Sequence, residues 1–350
     1  MKHSTFSQKT LAKKIATAVV GMTVALGATT AVAAAMKPSA EDVEKYLRPM
    51  EVPQGKNNMS TPERVELGKF LFFDPRLSGS NFISCATCHN PALGWSDGQP
   101  TAVGHGMKVL HRSTPTILNT AYQRFQMWDG RERTLESQAV GPIQADVEMA
   151  QPMDVLVDEL KDISKYMEMF EAAYPGEGIS EKTIGKAIAA FERTIVSTDS
   201  PFDRWLKGVD GTMSKEAIKG FEVFKGKANC VACHDGFNFS DNGFHNIGLK
   251  DMDDPGRFAI KPIKVLKGAF KTPTLRDVAL TAPYMHNGAY KTLEEVVDHY
   301  NTGGFKNAGT LDPNMKPLKL SKKEKKQLVE FMKALTGDPM EITVPVLPVE

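Results

Sequence analysis

Apolar residues at helical spacing mark two segments that each precede a pair of cysteines. Residues 61–72 begin with Thr61, a good helix cap, and then place apolar residues about every three to four positions. Residues 214–224 repeat this arrangement, with Ser214 as the cap. Their apolar stripe consists of Ile218, Phe221 and Phe224. Both patterns predict amphipathic helices, and their repetition predicts two similar units in one chain.

The same spacing predicts further helices. Residues 153–174 and 181–196 have amphipathic patterns, and the turn-forming stretch 175–178 separates them. Residues 321–335 predict a closing helix, whose lysines fit a solvated polar face. The sequence has no long alternation of apolar and polar residues, which would indicate strands. We therefore expect a mainly α fold with long loops.

Residues 1–35 have the pattern of a secretory signal peptide. An apolar run, 15–30, is followed by the small residues 31–35. The lysines that precede the run are Lys2, Lys9, Lys13 and Lys14. The run is too short to span a bilayer comfortably, although an uncleaved anchor is the alternative. We expect export to the periplasm, with no membrane span once the signal is cleaved.

Composition changes this picture little. Hydrophobic residues make up 41% of the 350 residues, charged residues 24%, and the formal net charge is +1. A chain of this length is long enough for two globular domains. Because there is no strong net charge, the composition gives no reason to expect nucleic acid as a partner.

All four cysteines belong to two motifs, Cys85-Ala86-Thr87-Cys88-His89 and Cys230-Val231-Ala232-Cys233-His234. The C-x-x-C-H spacing is that of c-type haem attachment. Two thiols about one helical turn apart can each form a thioether to a haem, and the adjoining histidine can then reach the iron. Disulfides, thioredoxin-like redox sites or a zinc site would not require a histidine after both pairs. The motifs predict two covalently bound haem c groups.

One haem per domain is the natural division of the chain. Ser200-Pro201 is a plausible boundary. We therefore expect an N-terminal haem domain over 36–198 and a C-terminal haem domain over 199–350. The predicted fold class is mainly α, with two cytochrome-c-like haem domains in tandem joined and covered by long loops.

Several segments resemble the bacterial di-haem cytochrome c peroxidase and MauG superfamily, in the same order and at similar spacing. They are Leu67 to Ser78, Phe125-Gln126-Met127-Trp128-Asp129-Gly130-Arg131, Glu136-Ser137-Gln138-Ala139, Val147-Glu148-Met149 and Leu280-Thr281-Ala282-Pro283-Tyr284-Met285-His286-Asn287-Gly288. The resemblance implies that the N-terminal haem reacts with peroxide and that the C-terminal haem transfers electrons. It makes His89 the proximal ligand of the first haem and His234 that of the second.

The resemblance also implies the groups around the peroxide site. Glu148 matches the catalytic glutamate of the family, and Gln138 matches its hydrogen-bonding partner. Trp128 matches the tryptophan between the two haems, although a tryptophan that only packs would look the same in sequence. His105 matches a removable distal histidine. In MauG-type relatives that iron face is open, and His105 would then be an ordinary loop histidine.

Calcium is a further implication of the resemblance. The family binds it at the domain interface, and Thr281 and Pro283 match two residues that contribute backbone carbonyls. The third position is usually asparagine but is Ser113 here. Because calcium needs several well-placed oxygen atoms, this departure weakens the prediction of a calcium site.

The second axial ligand of the C-terminal haem divides the superfamily. Typical peroxidases use methionine, which raises the reduction potential, whereas MauG-type enzymes use tyrosine. Tyr300 falls at the matching position. Met315 lies in a loop before the closing helix, where small c-type cytochromes often place a ligand methionine, so both residues remain candidates. Met213 and Met285 fit packing roles better.

The sequence thus predicts a peroxidase that reduces hydrogen peroxide with electrons from a small cytochrome c or cupredoxin. The alternative is a MauG-like enzyme that uses peroxide to oxidise Trp or Tyr residues of a partner protein. A plain di-haem electron carrier is a third alternative, against which Glu148 and Gln138 count. A homodimer is compatible with all three.

Overall fold

The computed structural model describes residues 37–250, 253–306 and 310–349. The predicted signal peptide, residues 1–35, lies outside the described residues. The helices of the described residues are α1 (Ala40–Tyr46), α2 (Pro62–Phe73), α3 (Cys85–Cys88), α4 (Leu135–Gln144), α5 (Met153–Lys161), α6 (Ser164–Ala173), α7 (Glu181–Glu192), α8 (Pro201–Leu206), α9 (Lys215–Lys225), α10 (Leu293–Thr302) and α11 (Lys322–Lys333). Long loops and short 3₁₀ turns connect them, so the predicted fold class is confirmed.

The predicted caps begin their helices. Thr61 accepts a hydrogen bond from the Arg64 amide at the start of α2. Ser214 accepts one from the Ala217 amide at the start of α9. These bonds satisfy amide groups that have no partner within the helix.

The single helix predicted over 153–174 is wrong, because α5 and α6 divide it. Ile163, between the two helices, has an extended backbone (φ −99°, ψ 103°). The break lets Ile163 bury its side chain in the same core as Tyr166 and Phe170 of α6. Burial of apolar side chains therefore overrides the helical preference of the local sequence.

Each haem-attachment motif follows a helix that crosses a later helix at a glycine. A Cβ at Gly68 of α2 would overlap the carbonyl oxygen of Ala187 on α7. A Cβ at Gly220 of α9 would overlap the carbonyl oxygen of Gln327 on α11 in the same way. Because glycine lets the backbones approach this closely, both halves of the chain contain the same helix crossing, in agreement with a tandem of two cytochrome-c-like units.

Two apolar cores lie on either side of the predicted boundary. The first is built mainly from residues 67–195 and the second mainly from residues 202–335. Two terminal segments pack in the opposite half. Tyr46 of α1 is buried in the second core, where it stacks on Phe239, and Met340 and Ile342 pack against the first core.

A buried ion pair joins α1 and α8 to the loop that contains Arg276. The Arg276 guanidinium, 1% exposed, binds Asp203 of α8 at 2.7 Å and donates to the Tyr46 carbonyl oxygen at 3.2 Å. A third bond goes to the carbonyl oxygen of Phe237. Because the charge is both paired and hydrogen-bonded, its burial is tolerated.

Two hairpins of similar shape contact each other through Trp128 and His286. In the first, Gln126 pairs with Glu132, and in the second, Tyr284 pairs with Tyr290. The strands β1 (Phe244–His245) and β2 (Phe270–Lys271) form a short antiparallel sheet beside them. Within the described residues, no helix is long and apolar enough to cross a membrane.

Candidate functional site

A cavity of about 1100 Å³ runs between the two halves and contains both cysteine motifs in its lining. This volume exceeds the range of about 300–1,000 Å³ that is usual for a single small-molecule pocket. The motif residues in the lining are Cys85, Cys88, His89, Cys230, Cys233 and His234. The cavity is therefore suited to hold more than one large group.

The two motif histidines each leave one ring nitrogen available to bind a metal. His89 Nδ1 lies 3.3 Å from the carbonyl oxygen of Trp95, and His234 Nδ1 lies 2.9 Å from that of Phe239. A carbonyl oxygen can only accept, so each Nδ1 carries the proton and each Nε2 keeps a free lone pair. Burial lowers the pKa of both imidazoles and favours the neutral form that binds iron.

The cysteines fit covalent haem attachment better than the alternatives. All four thiols are free, so the pairs are not disulfides. Within the described residues, the grouping of His, Cys and acidic side chains that could hold a metal is Cys233, Asp241 and His245. It contains one cysteine of one motif, whereas a structural zinc site draws four ligands together. The motifs, the cavity and the two free imidazole nitrogens all fit two c-type haems.

Glu148 and Gln138 line the same cavity, on the side of the first motif. Glu148 follows α4 in a loop, and Gln138 lies in α4 itself. Burial raises the pKa of the Glu148 carboxyl, and the charge of Arg131 opposes this rise only in part. Glu148 thus keeps its proton to a higher pH than an exposed glutamate does.

His105 lies beside Glu148 through its main chain. The His105 amide donates to the Glu148 carbonyl oxygen at 2.8 Å. Gly104 lines the cavity, but His105, although described, is not among the lining residues. Its Nδ1 is buried without a hydrogen-bond partner among the described residues. The main chain of His105 is thus joined to that of Glu148, while its imidazole does not line the cavity.

Trp128 lies at the meeting point of the two hairpins. Its indole Nε1 donates to the carbonyl oxygen of Ser113 at 2.9 Å, and its own carbonyl oxygen accepts from the Lys271 amide at 2.8 Å. The adjoining Asp129 binds Arg112 at 2.6 Å, and Arg112 also binds Asp254 at 2.7 Å. These contacts fix the indole position against both halves of the chain.

Tyr300 lines the cavity from the last turn of α10. Its neighbour His299 fixes the rotation of this helix: Nε2 donates to the Ile247 carbonyl oxygen and Nδ1 accepts from the Tyr290 hydroxyl, both at 2.9 Å. Burial raises the pKa of the Tyr300 phenol, and the nearby thiols of Cys230 and Cys233 raise it further. The phenol is therefore within electrostatic reach of the second motif.

Met315 lines the cavity as well. Its amide donates to the Asp312 carbonyl oxygen at 2.9 Å, and its Cε methyl lies close to Gly304, where an added Cβ would be 3.3 Å away. Met315 thus sits near the end of α10. Both predicted ligands line the cavity.

The residues predicted to bind calcium also border the cavity: Ser113, Thr281 and Pro283. The Ser113 carbonyl oxygen already accepts from Trp128, and the Ser113 amide donates to the His286 carbonyl oxygen at 2.7 Å. The main chain of Ser113 is therefore hydrogen-bonded to both hairpins.

Three buried polar residues of the cavity region escaped the sequence analysis. They are Glu192 at the end of α7, Lys271 in β2 and His286 in the second hairpin. The sequence alone gives no sign that Lys271 and Glu192 differ from ordinary charged surface residues. His286 lies in one of the segments that resemble the family. The signal that could have identified it is its place in the second hairpin, which corresponds to that of Trp128 in the first.

Family models cover both halves of the chain. The model of di-haem cytochrome c peroxidase matches residues 62–211, and the model of cytochrome c matches residues 217–336. Together they include both cysteine motifs.

Relatives extend this likeness over nearly the whole chain. The methylamine utilization protein MauG of Methylorubrum extorquens is 46% identical over 93% of this chain and 94% of its own length. The cytochrome c551 peroxidase of Pseudomonas aeruginosa is 36% identical over 86% of both chains. The solved structure of a MauG-like protein associated with microbial copper homeostasis has a TM-score of 0.78 at 31% identity, covering 84% of this chain and 94% of the other.

Proposed function

Because this chain belongs to the di-haem cytochrome c peroxidase family of oxidoreductases, which includes MauG, we propose that it reduces hydrogen peroxide with electrons drawn from a protein partner. The observation that carries the proposal is the single cavity, which both haem-attachment motifs, Glu148, Gln138 and Trp128 all line. When attached, the two c-type haems supply an iron that binds peroxide and two centres that exchange electrons. Each peroxide takes up two electrons and two protons and gives two waters.

Glu148 handles the protons of this reaction. One peroxide oxygen must lose a proton and the other must gain one before the O–O bond can break, which requires a positioned acid–base group. A half-buried carboxyl with a raised pKa suits this role, since it can accept the first proton and return it to the departing oxygen. The Gln138 amide can donate to or accept from the same peroxide and hold it in place.

Cysteine attachment and the histidine hydrogen bonds keep the reacting groups in fixed positions. His89 and His234 are oriented by carbonyl oxygens of their own loops. Trp128 is fixed by its bond to Ser113 in the cavity that both motifs line, and an aromatic ring there would shorten the gap that an electron must cross. The chain thus contributes orientation, proton transfer and a route for electrons.

The position of Tyr300 favours the protein-oxidising branch, in which electrons come from Trp or Tyr residues of the partner. An anionic oxygen ligand favours the oxidised state of iron, and a bound cation lowers the pKa of the group that ligates it. His105 does not line the cavity, which fits the same branch, because no histidine side chain would then have to move before peroxide binds.

A peroxidase supplied by a small cytochrome c or cupredoxin is the second candidate. Met315 also faces the cavity, and a thioether ligand would raise the potential of the C-terminal haem, as an electron-receiving centre requires. In this case the oxidised protein would need one electron before it reacts with peroxide.

We further propose a periplasmic location, from the predicted signal peptide. A calcium ion at Thr281 and Pro283 is also proposed, with Ser113 in the third position. Because Ser113 already uses its carbonyl oxygen for Trp128, calcium binding would couple to the tryptophan. A homodimer also remains a proposal.

The test is to mix the fully oxidised, two-haem protein with one equivalent of peroxide, with and without a reduced small cytochrome c, and to follow the haem spectrum. We expect a direct reaction without lag, slow turnover with the cytochrome and no methionine-to-iron band. A reaction that is fast only after one-electron reduction would establish the second candidate. No reaction with peroxide in either state would refute the proposed function.

The variant His105→Gly separates the two branches independently. We expect it to leave the reaction of the oxidised protein unchanged. A wild-type lag that this variant removes would show that His105 blocks the first iron and would favour the peroxidase.

A further inference from the structure

Lys271 is a buried cation that faces the haem cavity without a counter-ion among the described residues. Its side chain is 7% exposed and lines the cavity beside Trp128. The polar contact of its ammonium group is a hydrogen bond of 2.7 Å to Oε1 of Gln123, a neutral amide. Burying an ammonium group costs free energy unless a negative charge is paired with it, so the Lys271 ammonium lacks a partner of opposite charge.

The other Arg and Lys side chains of the cavity are either paired with carboxylates or exposed to water. Arg112 and Arg131 both bind Asp129, and Arg112 also binds Asp254. Lys316 is exposed to water. Burial lowers the pKa of Lys271 to about 8, and no nearby carboxylate opposes this change. Lys271 therefore stands apart from the other Arg and Lys residues that line the cavity.

We propose that Lys271 binds a propionate carboxylate of a haem and acts as its counter-ion at the junction of the two halves. A c-type haem is attached through its vinyl groups and keeps two propionates, which must also find partners when they are buried. The Lys271 ammonium supplies three donors, of which Gln123 takes one. An ion pair with the propionate would neutralise the positive charge of Lys271, which the neutral amide of Gln123 does not.

The position of Lys271 in β2 points to the C-terminal haem. Two residues later, the carbonyl of Pro273 contacts the proximal ligand His234. The Lys271 amide meanwhile donates to the carbonyl oxygen of Trp128. Lys271 would thus be a positioning residue that joins a propionate of this haem to the tryptophan segment. It would also hold the reduction potential of this haem up, because a positive charge nearby favours the reduced iron.

The inference rests on the two haems and not on the reaction with peroxide, so it is tested without peroxide. The variants are Lys271→Met, which removes the charge at similar size, and Lys271→Arg, which keeps it. Lys264→Met, at an exposed lysine earlier in the same segment, is the matched control. For each variant, the haem content and the potentials of both haems are measured by spectroelectrochemistry.

We expect Lys271→Met to lower the one-electron reduction constant of the C-terminal haem about tenfold, which is about 59 mV. Lys271→Arg and Lys264→Met should leave both potentials near the wild-type values. Unchanged potentials in a fully loaded Lys271→Met protein would overturn the proposal. If that variant does not retain two haems, Lys271→Gln replaces it, since it keeps a donor for Gln123 but not the charge.

Resonance Raman spectra of the wild-type protein give a second readout that needs no variant. A propionate bound to an ammonium group should shift its bending vibration when the lysine protons exchange for deuterium. The absence of this shift in every propionate band would show that Lys271 bonds to Gln123 alone and would refute the inference.

Discussion

The rings of Trp128 and His286 meet edge to face, with their centroids 6.3 Å apart. Each ring follows a methionine with a positive φ angle, Met127 or Met285, at the tip of its hairpin. The two halves of the chain thus bring corresponding hairpin positions into contact with each other. His286 is held from its other side by Phe270, which stacks on it at 3.6 Å, and burial lowers its pKa to about 4. A neutral aromatic pair therefore joins the two halves.

Replacing Trp128 with phenylalanine should slow electron transfer between the two haems without unfolding the protein. The lost bond to the Ser113 carbonyl costs about 1 kcal/mol of unfolding free energy. The rate is measured by flash reduction of the mature protein, and the stability by denaturant unfolding. Trp205→Phe, in the second core, is the control and should not alter the rate. An unchanged rate in Trp128→Phe would show that Trp128 only packs between its neighbours and does not assist electron transfer.

Replacing Glu148 with glutamine should lower the rate of the reaction with peroxide about 10²–10⁴-fold, because the proton acceptor is lost. Asp146→Asn, two residues earlier and exposed, should have no effect. In the wild type, the rate should fall as the pH drops through the pKa of Glu148, since only the carboxylate accepts a proton. That pKa is raised by burial, so the fall should occur above the ordinary glutamate range. A rate equal to wild type in Glu148→Gln would exclude it as the acid–base group.

The ligand of the C-terminal haem is tested by exchanging the two candidates. Tyr300→Met should create a methionine-to-iron absorption band and raise the potential of that haem. Met315→Leu should leave the spectrum and potential as they are. Loss of an existing methionine-to-iron band in Met315→Leu would be the opposite result. It would identify Met315 as the ligand and the protein as a peroxidase supplied by a small cytochrome c or cupredoxin.

Glu192 predicts a pH dependence of stability. Its side chain is 4% exposed, Oε2 has no partner among the described residues, and burial raises its pKa to about 8. The folded protein therefore binds this proton more tightly than the unfolded chain. The stabilisation is complete below the unfolded pKa of about 4.5 and is lost as the pH rises toward 8.

The loss is on the order of a few kcal/mol, at about 1.36 kcal/mol per pKa unit. Denaturant unfolding of the haem-loaded protein at pH 5 and pH 8 measures it. Glu192→Gln should remove most of this difference, and Glu181→Gln, at the exposed start of the same helix, should keep it. An equal pH dependence in wild type and Glu192→Gln would show that Glu192 does not cause it.

The sequence predicted the elements that depend on local signals. Caps such as Thr61 and Ser214 act within one turn of helix, and the haem motifs are defined by spacing alone, so both can be recognised without the fold. The break at Ile163 could not be predicted, because it depends on a core formed by distant helices.

The polar residues of the cavity were harder to predict. Lys271 and Glu192 have ordinary neighbours in sequence, and their burial follows from the meeting of segments far apart in the chain. The resemblance placed Glu148, Gln138 and Trp128, which the structure brings to one cavity. It also suggested His105 for the same site, yet a side chain in a short loop can turn either way without changing the sequence pattern.

The exchange of terminal segments has a consequence for biosynthesis. Arg76 in the first half donates to the carbonyl oxygen of Pro348 at 3.0 Å, and Thr198 donates to that of Asp338 at 2.5 Å. The N-terminal half, which is synthesised first, therefore lacks part of its packing until residues 338–348 have been made. The C-terminal half, in contrast, can pack against α1 as soon as it is made, because α1 precedes it in the chain. Maturation with haem thus proceeds on a chain whose earlier half is the last to be completed.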